Sequence, residues 1–487
     1  MSLLRKGKLA PKSDRVAEFT SSIKSDACLT EAVIRINKAH AVMLARRKLI
    51  SKREAGLILK ALAELNPKMP LDQDLEDVHM NVEAEVTRKV GEEIGGKMHL
   101  AKSRNDQVSA ALRMVLRDYA LAIIETLNGL QGALLEVARG HVSDVMPGYT
   151  HMQQAQPVTV AGYLLSYYDL LERGKNRLMG SYGRINSSPM GACAIAGTGF
   201  PIDRGLVAEL LGFETVIENS MDATGSRDFL TETLADLSLL MTDLSRLSGD
   251  LILWSTSEFG FISLPDEFVS TSSIMPQKRN PEILEVIRAR SAHVCGNFQA
   301  ALMITQRTSA GYSLDLQELN PLVWDSCEKT HSSISMLAEL LPAIKFNEGA
   351  MKRAMSGFIT STDLADALVR RANLPFRKAY HVVNAAIKKL LEEDKSLKDL
   401  DIGTLKHLTR KVGEAELKMS KEELRKTLDP EESVKFRSGM APKEVTAILD
   451  SRKKELSAGI AWHDANLKFI EDAYGKLEAA ANKLSGC

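Results

Sequence analysis

Aromatic residues make up only 5% of the 487 residues, and runs alternating β-branched with polar side chains are scarce. A sheet sandwich or barrel needs both, so neither is expected. The five cysteines, Cys28, Cys193, Cys295, Cys327 and Cys487, are odd in number, widely spaced and without a CxxC pair. That argues against a disulfide framework and fits reduced thiols in a cytoplasm. Lys plus Arg equals Asp plus Glu at 63 each, so net charge points to neither nucleic acid nor an anionic membrane as partner. No run reaches the roughly 20 apolar residues of a bilayer span, and Met1 to Lys8 holds no apolar leader core. The expectation is a soluble, cytoplasmic protein. HExxH spacing is missing, so no metal is expected, and Gly191, Gly197 and Gly199 fit neither GxGxxG nor GxxxxGK[ST].

What the chain has in abundance is leucine at helical spacing. Leu230, Leu234, Leu237, Met241, Leu244, Leu247 and Leu251 recur three or four apart, the seam of one long helix. Ile283, Ile287, Val294, Phe298 and Ala301 share a second face, and Leu112, Val115, Tyr119, Ile123, Leu127, Leu130, Leu134 and Val137 an earlier one. The fold class is therefore mainly α, with long helices side by side at coiled-coil-like angles. So long a chain exceeds one core. Three helical units are expected: 1–107, 108–355 as the long bundle, and 356–487. In the first, Thr30–Arg46 and 51–65 read as short helices, the second entered through Ser51. In the last, the Lys/Glu-rich stretches 388–398 and 414–426 read as solvated faces.

Polar loops interrupt the helices. Residues 270–281 set hydroxyls, Lys278 and Asn280 between two prolines; a Ser-rich connector is the plain alternative, but Met275 and Lys278 held there suggest a shaped loop. Asn280-Pro281 reads as N-cap and first helical residue, which would aim amide N–H groups and a positive dipole end at the loop. Residues 97–107 precede a helix expected from Val108, with Asn105 or Asp106 as its cap, leaving Ser103, Arg104 and Asn105 as a carboxylate-recognising cluster. In 146–157, His151 stands among Thr150, Gln153 and Gln156 before a helix expected near Val158; a lone histidine is most often structural, and these neighbours weigh against that. Arg227, in 218–228, either caps the leucine-seam helix or binds an anion.

The run Ser272-Ser273-Ile274-Met275-Pro276-Gln277-Lys278-Arg279-Asn280-Pro281 resembles the signature of the aspartase/fumarase lyase superfamily. Within it, Ser103-Arg104-Asn105-Asp106-Gln107, Gly148-Tyr149-Thr150-His151-Met152-Gln153 and the stretch from Tyr312 to Glu318 resemble the argininosuccinate lyase family. The likeness spans about 19–371, with a weaker echo at 428–434. It implies three mostly helical domains, a homotetramer whose central bundles form a twenty-helix core, and active sites drawing residues from three subunits. It also implies cofactor-free splitting of argininosuccinate into arginine and fumarate, as in arginine biosynthesis. The chain departs from the family pattern in places. Thr271 stands where Gly is usual, Leu100-Ala101-Lys102 where Thr-Gly-Arg is, Leu314 where a basic residue is, and Leu319-Asn320 where many members carry Asp-Lys. A lysine that would hold a substrate carboxylate is thus absent at Asn320; either Lys102 or another cation substitutes, or affinity is weaker.

The implied chemistry assigns roles. Removing a proton beside a carboxylate builds a doubly charged aci-carboxylate that needs fixed positive charge, which Lys278 supplies. Ser272, carried over from the first serine of the family pair, is the expected base, provided its alkoxide is stabilised. The departing guanidino nitrogen needs a proton, for which His151 is the expected acid, oriented by Glu285. Ser22 and Asp26 sit where the family contacts the arginine end of the substrate. His79, Ser103, Arg104, Asn105, Thr150, Arg227, Asn280, Tyr312 and Gln317 complete the expected binding set. The rivals are another fumarate-releasing lyase, acting on adenylosuccinate or aspartate, and a silent structural relative; the cluster at 103–106 favours argininosuccinate.

Overall fold

The computed structural model describes residues 13–486. Helices α1 (Thr30–Arg46) and α2 (Lys52–Ala63) open the packed body. Ser51 Oγ accepts from Glu54 N at 3.2 Å while Glu54 Oε2 accepts from Ser51 N at 2.8 Å, so α2 starts with two orphan donors satisfied. After α3 (Val78–Val90) comes α4 (Arg104–Gly140), which begins before the expected Val108. The cap is Ser103, not Asn105 or Asp106: its N–H donates to Asp106 Oδ1 at 3.0 Å and its Oγ accepts from Asn105 N at 3.3 Å. The polar cluster is itself the first helical turn, where apolar periodicity gives no signal.

Where a loop around His151 was expected, a hairpin forms, β1 (Val145–Thr150) paired antiparallel with β2 (Gln153–Thr159). His151 and Met152 make its tip with φ of 53° and 58°, the left-handed pair that a two-residue hairpin turn demands. The register slips at Gly148, where a Cβ would come within 2.9 Å of Gln156 O. Next come α5 (Val160–Ile185), α6 (Asp228–Trp254), the two-residue strands β3 (Ser270–Thr271) and β4 (Arg279–Asn280), α7 (Glu282–Thr305) and α8 (Leu319–Leu340). Asn280 therefore does not cap α7. It pairs with Ser270 across the short ladder, and α7 starts after Pro281.

Helices α4 to α8 run as a bundle: α4 against α5 and α8, α6 against α5 and α7, α7 against α8. The leucine seam of α6 is its spine, every one of its seven residues at most 1% exposed. Burying such a side chain contributes about 2 kcal/mol, so the seam outweighs any local propensity. By length and composition alone α4 could cross a membrane, but it is a core helix of this bundle and carries buried Asp106, Arg113 and Arg117.

Helices α9 (Ser361–Ala372), α10 (Phe376–Glu392), α11 (Ile402–Gly413) and α12 (Lys421–Leu428) enclose a second core around Leu364, Leu368, Leu405 and Leu424. The last helix, α13 (Pro442–Ser485), leaves that core and lies on α4, α2 and α1. We propose that the small unit ends near 441 and that α13, through Leu449, Ile470 and Leu477, belongs to the main body.

Candidate active site

A cavity of about 590 Å³ opens where helix starts converge. Ser22 and Asp26 precede α1, Glu76 and Asp77 precede α3, Ser103 to Asn105 begin α4, Arg227 precedes α6, and Tyr312, Gln317 and Asn320 lead into α8. Starts of helices carry capping side chains and unpaired amides, so their convergence concentrates polar groups in one recess.

One wall is built on Arg104. Its Nη2 donates to Asp77 Oδ2, and Nη1 reaches Glu76 Oε2 at 3.4 Å. Asp77 does double duty, since its Oδ1 accepts from Met80 N at 2.8 Å and caps α3. The two acids are presented by a γ-turn centred on Glu76 (φ 62°, ψ −50°), closed by Asp77 N to Leu75 O at 2.6 Å. This is a rare conformation for a residue with a side chain and stores backbone strain at the wall. Asn105 Nδ2 donates to Ala194 O at 3.0 Å. Behind them Asp106, fully buried, also accepts from Gly191 N at 3.1 Å and Cys193 N at 2.9 Å, tying the start of α4 to the 190s loop. Burial pushes its carboxyl up to about 6 against the pull of those amides.

A second part of the lining is organised around Asp26. Ser22 Oγ donates to its Oδ2, Asn320 Nδ2 to its Oδ1 at 3.2 Å and Ser25 Oγ to the same oxygen at 3.4 Å. Desolvation holds this carboxyl up to about 6, with Asp77 adding like-charge repulsion. Gln317 Nε2 donates to Thr20 O at 3.3 Å. Arg227 is buried and donates Nη1 to Thr224 O at 3.1 Å and Ser226 O at 2.7 Å, while its buried Nε and Nη2 have no partner among the described residues. Its burial lowers the guanidinium to about 10. Of the two roles expected for it, the carbonyl contacts fasten the entry to α6, and anion binding remains a proposal.

Other expected site residues lie outside the cavity lining. His79 is buried on α3 with both ring nitrogens unpartnered, and burial lowers it to about 4. Thr150 and His151 are exposed on the hairpin, and Lys278 and Glu285 are exposed on the 270–281 loop and on α7. Ser272 and Asn280 are half-buried in or beside that loop. Lys102 does not line the recess either, so it is no direct substitute for the missing lysine: it is buried and donates to Asn37 Oδ1, with desolvation lowering it to about 8. Conversely, Glu76, Asp77 and Glu83 line the cavity unforeseen. Asp77 was visible in principle, an acid immediately before an apolar-periodic helix.

Residues 7–296 match the Lyase family, and 358–435 match the family described as argininosuccinate lyase C-terminal. The argininosuccinate lyase of Methanocaldococcus jannaschii is 42% identical over 91% of this chain and 92% of its own length. That of Methanoculleus marisnigri is 38% identical over 99% of both. The chain belongs to the argininosuccinate lyase family. An EDDS lyase variant with bound fumarate superposes with a TM-score of 0.87 at 28% identity, covering 98% of this chain and 97% of that one. A class II fumarase from Schistosoma mansoni shares the fold at TM-score 0.69 and 19% identity, over 83% of this chain and 90% of its own. As a member of the argininosuccinate lyase family the protein is a carbon–nitrogen lyase. Its departures from the family pattern now have positions: Ala101 adopts φ 58°, where glycine is at ease, and Leu314 and Asn320 line the cavity where a cation was expected from the likeness.

Proposed function

We propose that the protein splits argininosuccinate into arginine and fumarate in the cavity at the starts of α1, α3, α4 and α8, in a cytoplasmic homotetramer whose subunits complete one another's sites. One observation carries the reading. Ser22, Asp26, Ser103, Arg104, Asn105, Arg227, Tyr312 and Gln317 line one recess, while Ser272, Lys278, His151 and Glu285, on which the chemistry depends, line none of it and stand at the surface of the same chain. A site divided in this way is made whole by neighbouring copies. The bundle offers a place for them, since Leu239, Val286, Leu302 and Met303 are exposed on α6 and α7. Five long helices from each of four chains would make a twenty-helix core.

In this reading Arg104 and the free edge of Arg227 meet the succinate carboxylates, with Ser103, Asn105 and Thr150 adding neutral hydrogen bonds. Arg104 exchanges one of its two acid partners for substrate. Ser272 Oγ removes the proton beside the carboxylate. It already accepts from Ile274 N at 3.3 Å and Met275 N at 3.1 Å, the kind of donors an alkoxide requires. Lys278 offsets the charge of the aci-carboxylate, Asn280 orders the loop through Ser270, and His151, oriented by Glu285, protonates the leaving nitrogen. His79, behind the wall, supports the site from within α3.

Fumarate release, followed by ultraviolet absorbance on the purified protein, tests this with argininosuccinate, adenylosuccinate and aspartate in parallel. Turnover of argininosuccinate is expected. Turnover of another substrate alone, or silence on all three, would overturn the assignment.

A further inference from the structure

The chain segments that line the cavity differ in the charge they offer a ligand. Both lining arginines belong to the side of α4 and α6. The run from Tyr312 to Asn320 lines the cavity with Leu314, Leu316, Gln317 and Asn320 and, among the described residues, brings no cation to it. Glu76 and Asp77 are paired with Arg104, and Glu83 with His99 at 3.1 Å. Among the described residues Asp26 has no such partner: it is 5% exposed and held by Ser22, Ser25 and Asn320, all neutral donors. A buried carboxylate without a counter-ion is costly, and a ligand cation is what relieves it. Asn320 adds to the demand. Its Nδ2 is spent on Asp26, which leaves its Oδ1, buried and without any donor, as a second acceptor at the same place.

We infer that Asn320, together with Asp26, sets amine specificity by reading a cationic group on the arginine half of the substrate and forming no ion pair with a carboxylate there. The enzyme then also handles succinyl adducts of guanidines that carry an ammonium group but no α-carboxylate. This rests on the argininosuccinate reading above and deepens it. The reaction is the same in balance. In the adding direction a guanidino nitrogen bonds to one alkene carbon of fumarate and a proton is delivered to the other, with no further reagent.

The test uses the purified full-length oligomer in the adding direction, following loss of fumarate absorbance with three guanidines. Arginine carries both groups, decarboxylated arginine (agmatine) only the ammonium, and des-amino arginine only the carboxylate. Expected is kcat/KM for agmatine within about tenfold of arginine and for des-amino arginine lower by about a hundredfold or more, the penalty of leaving buried acceptors unpaired. In Asn320→Lys the order turns, with agmatine falling at least about tenfold relative to arginine and des-amino arginine gaining. Agmatine falling as far as des-amino arginine in the wild type, with arginine active, overturns the inference alone. Silence with all three overturns the parent reading along with it.

Discussion

The cavity and the 270–281 loop are built in opposite ways. The cavity wall is largely half-buried or buried, ion-paired and strained: Glu76, Ala101 and Cys193 all take positive φ around it, and Asp106 stitches α4 to the 190s loop through backbone amides. The loop is held only at its base, where Ser270 pairs with Asn280 and Thr271 with Arg279, and at its far side Ile274 is 82% exposed. None of its residues has positive φ. We propose that a preformed recess and a tethered reactive arm divide the work, one part keeping its geometry without substrate while the other moves. If this division is right, damage to the loop costs rate and spares stability, while damage to the wall costs both.

The largest effect is expected from Ser272→Ala, which removes the proposed base. Turnover should fall by roughly a thousandfold or more with helicity and melting temperature unchanged. The sharper form of the experiment pairs this variant with Arg104→Ala, also inactive, and reassociates equal amounts of the two. Activity returns if loop and recess meet between subunits; mixtures as dead as their parents would assign both to one chain. Next in size is Asp106→Asn. It keeps the shape but loses the charged acceptor of three amides, and should cost about 2–4 kcal/mol in chemical denaturation.

The same contrast explains what could be read in advance. The seams on α4, α6 and α7 were legible because burial imposes a period of 3.6 on any sequence, and the seam of α6 is buried along its whole length. The first turn of α4 was not, because Ser103 to Asp106 cap it with polar side chains that resemble a loop. The hairpin around His151 escaped because its strands lack apolar alternation and its turn is made without glycine. At the cavity, motif likeness named side chains that follow one another in sequence and line one recess, such as Ser103, Arg104 and Asn105. It missed Glu76, Glu83 and the Asp26–Asn320 contact, which depend on chain segments far apart meeting in space.

A smaller effect separates the two states of Asp26. Its carboxyl is raised from 3.8 to about 6 in the folded protein. Folding therefore favours the protonated form, and this group's contribution to stability is present below pH 3.8 and lost as pH rises through about 6. Binding of a cation runs the other way, since only the ionised carboxylate attracts it. In the free enzyme, kcat/KM for argininosuccinate should fall as pH drops below about 6 while stability rises over the same interval. Asp26→Asn should flatten the stability slope and lower kcat/KM at neutral pH. A pH profile of kcat/KM unchanged in that variant would mean that another group carries the slope.

The smallest effect tests the strain in the wall directly. Ala101 holds φ 58° between the turn that carries His99 and the cap of α4, and its carbonyl accepts from Cys193 Sγ at 3.3 Å. A left-handed conformation costs an L-residue about 1–2 kcal/mol, whereas glycine adds about 0.5–1 kcal/mol of chain entropy to the unfolded state. The first term is the larger, so Ala101→Gly should stabilise the protein by up to about 1 kcal/mol, read as a higher denaturation midpoint with unchanged slope. The same exchange at Ala120, buried inside α4 with ordinary helical geometry, should destabilise, because a cavity and the helix penalty add to the entropy. If both exchanges destabilise alike, the wall at Ala101 stores no strain that glycine can release. Its conformation would then be held by the Cys193 contact and by α4 itself.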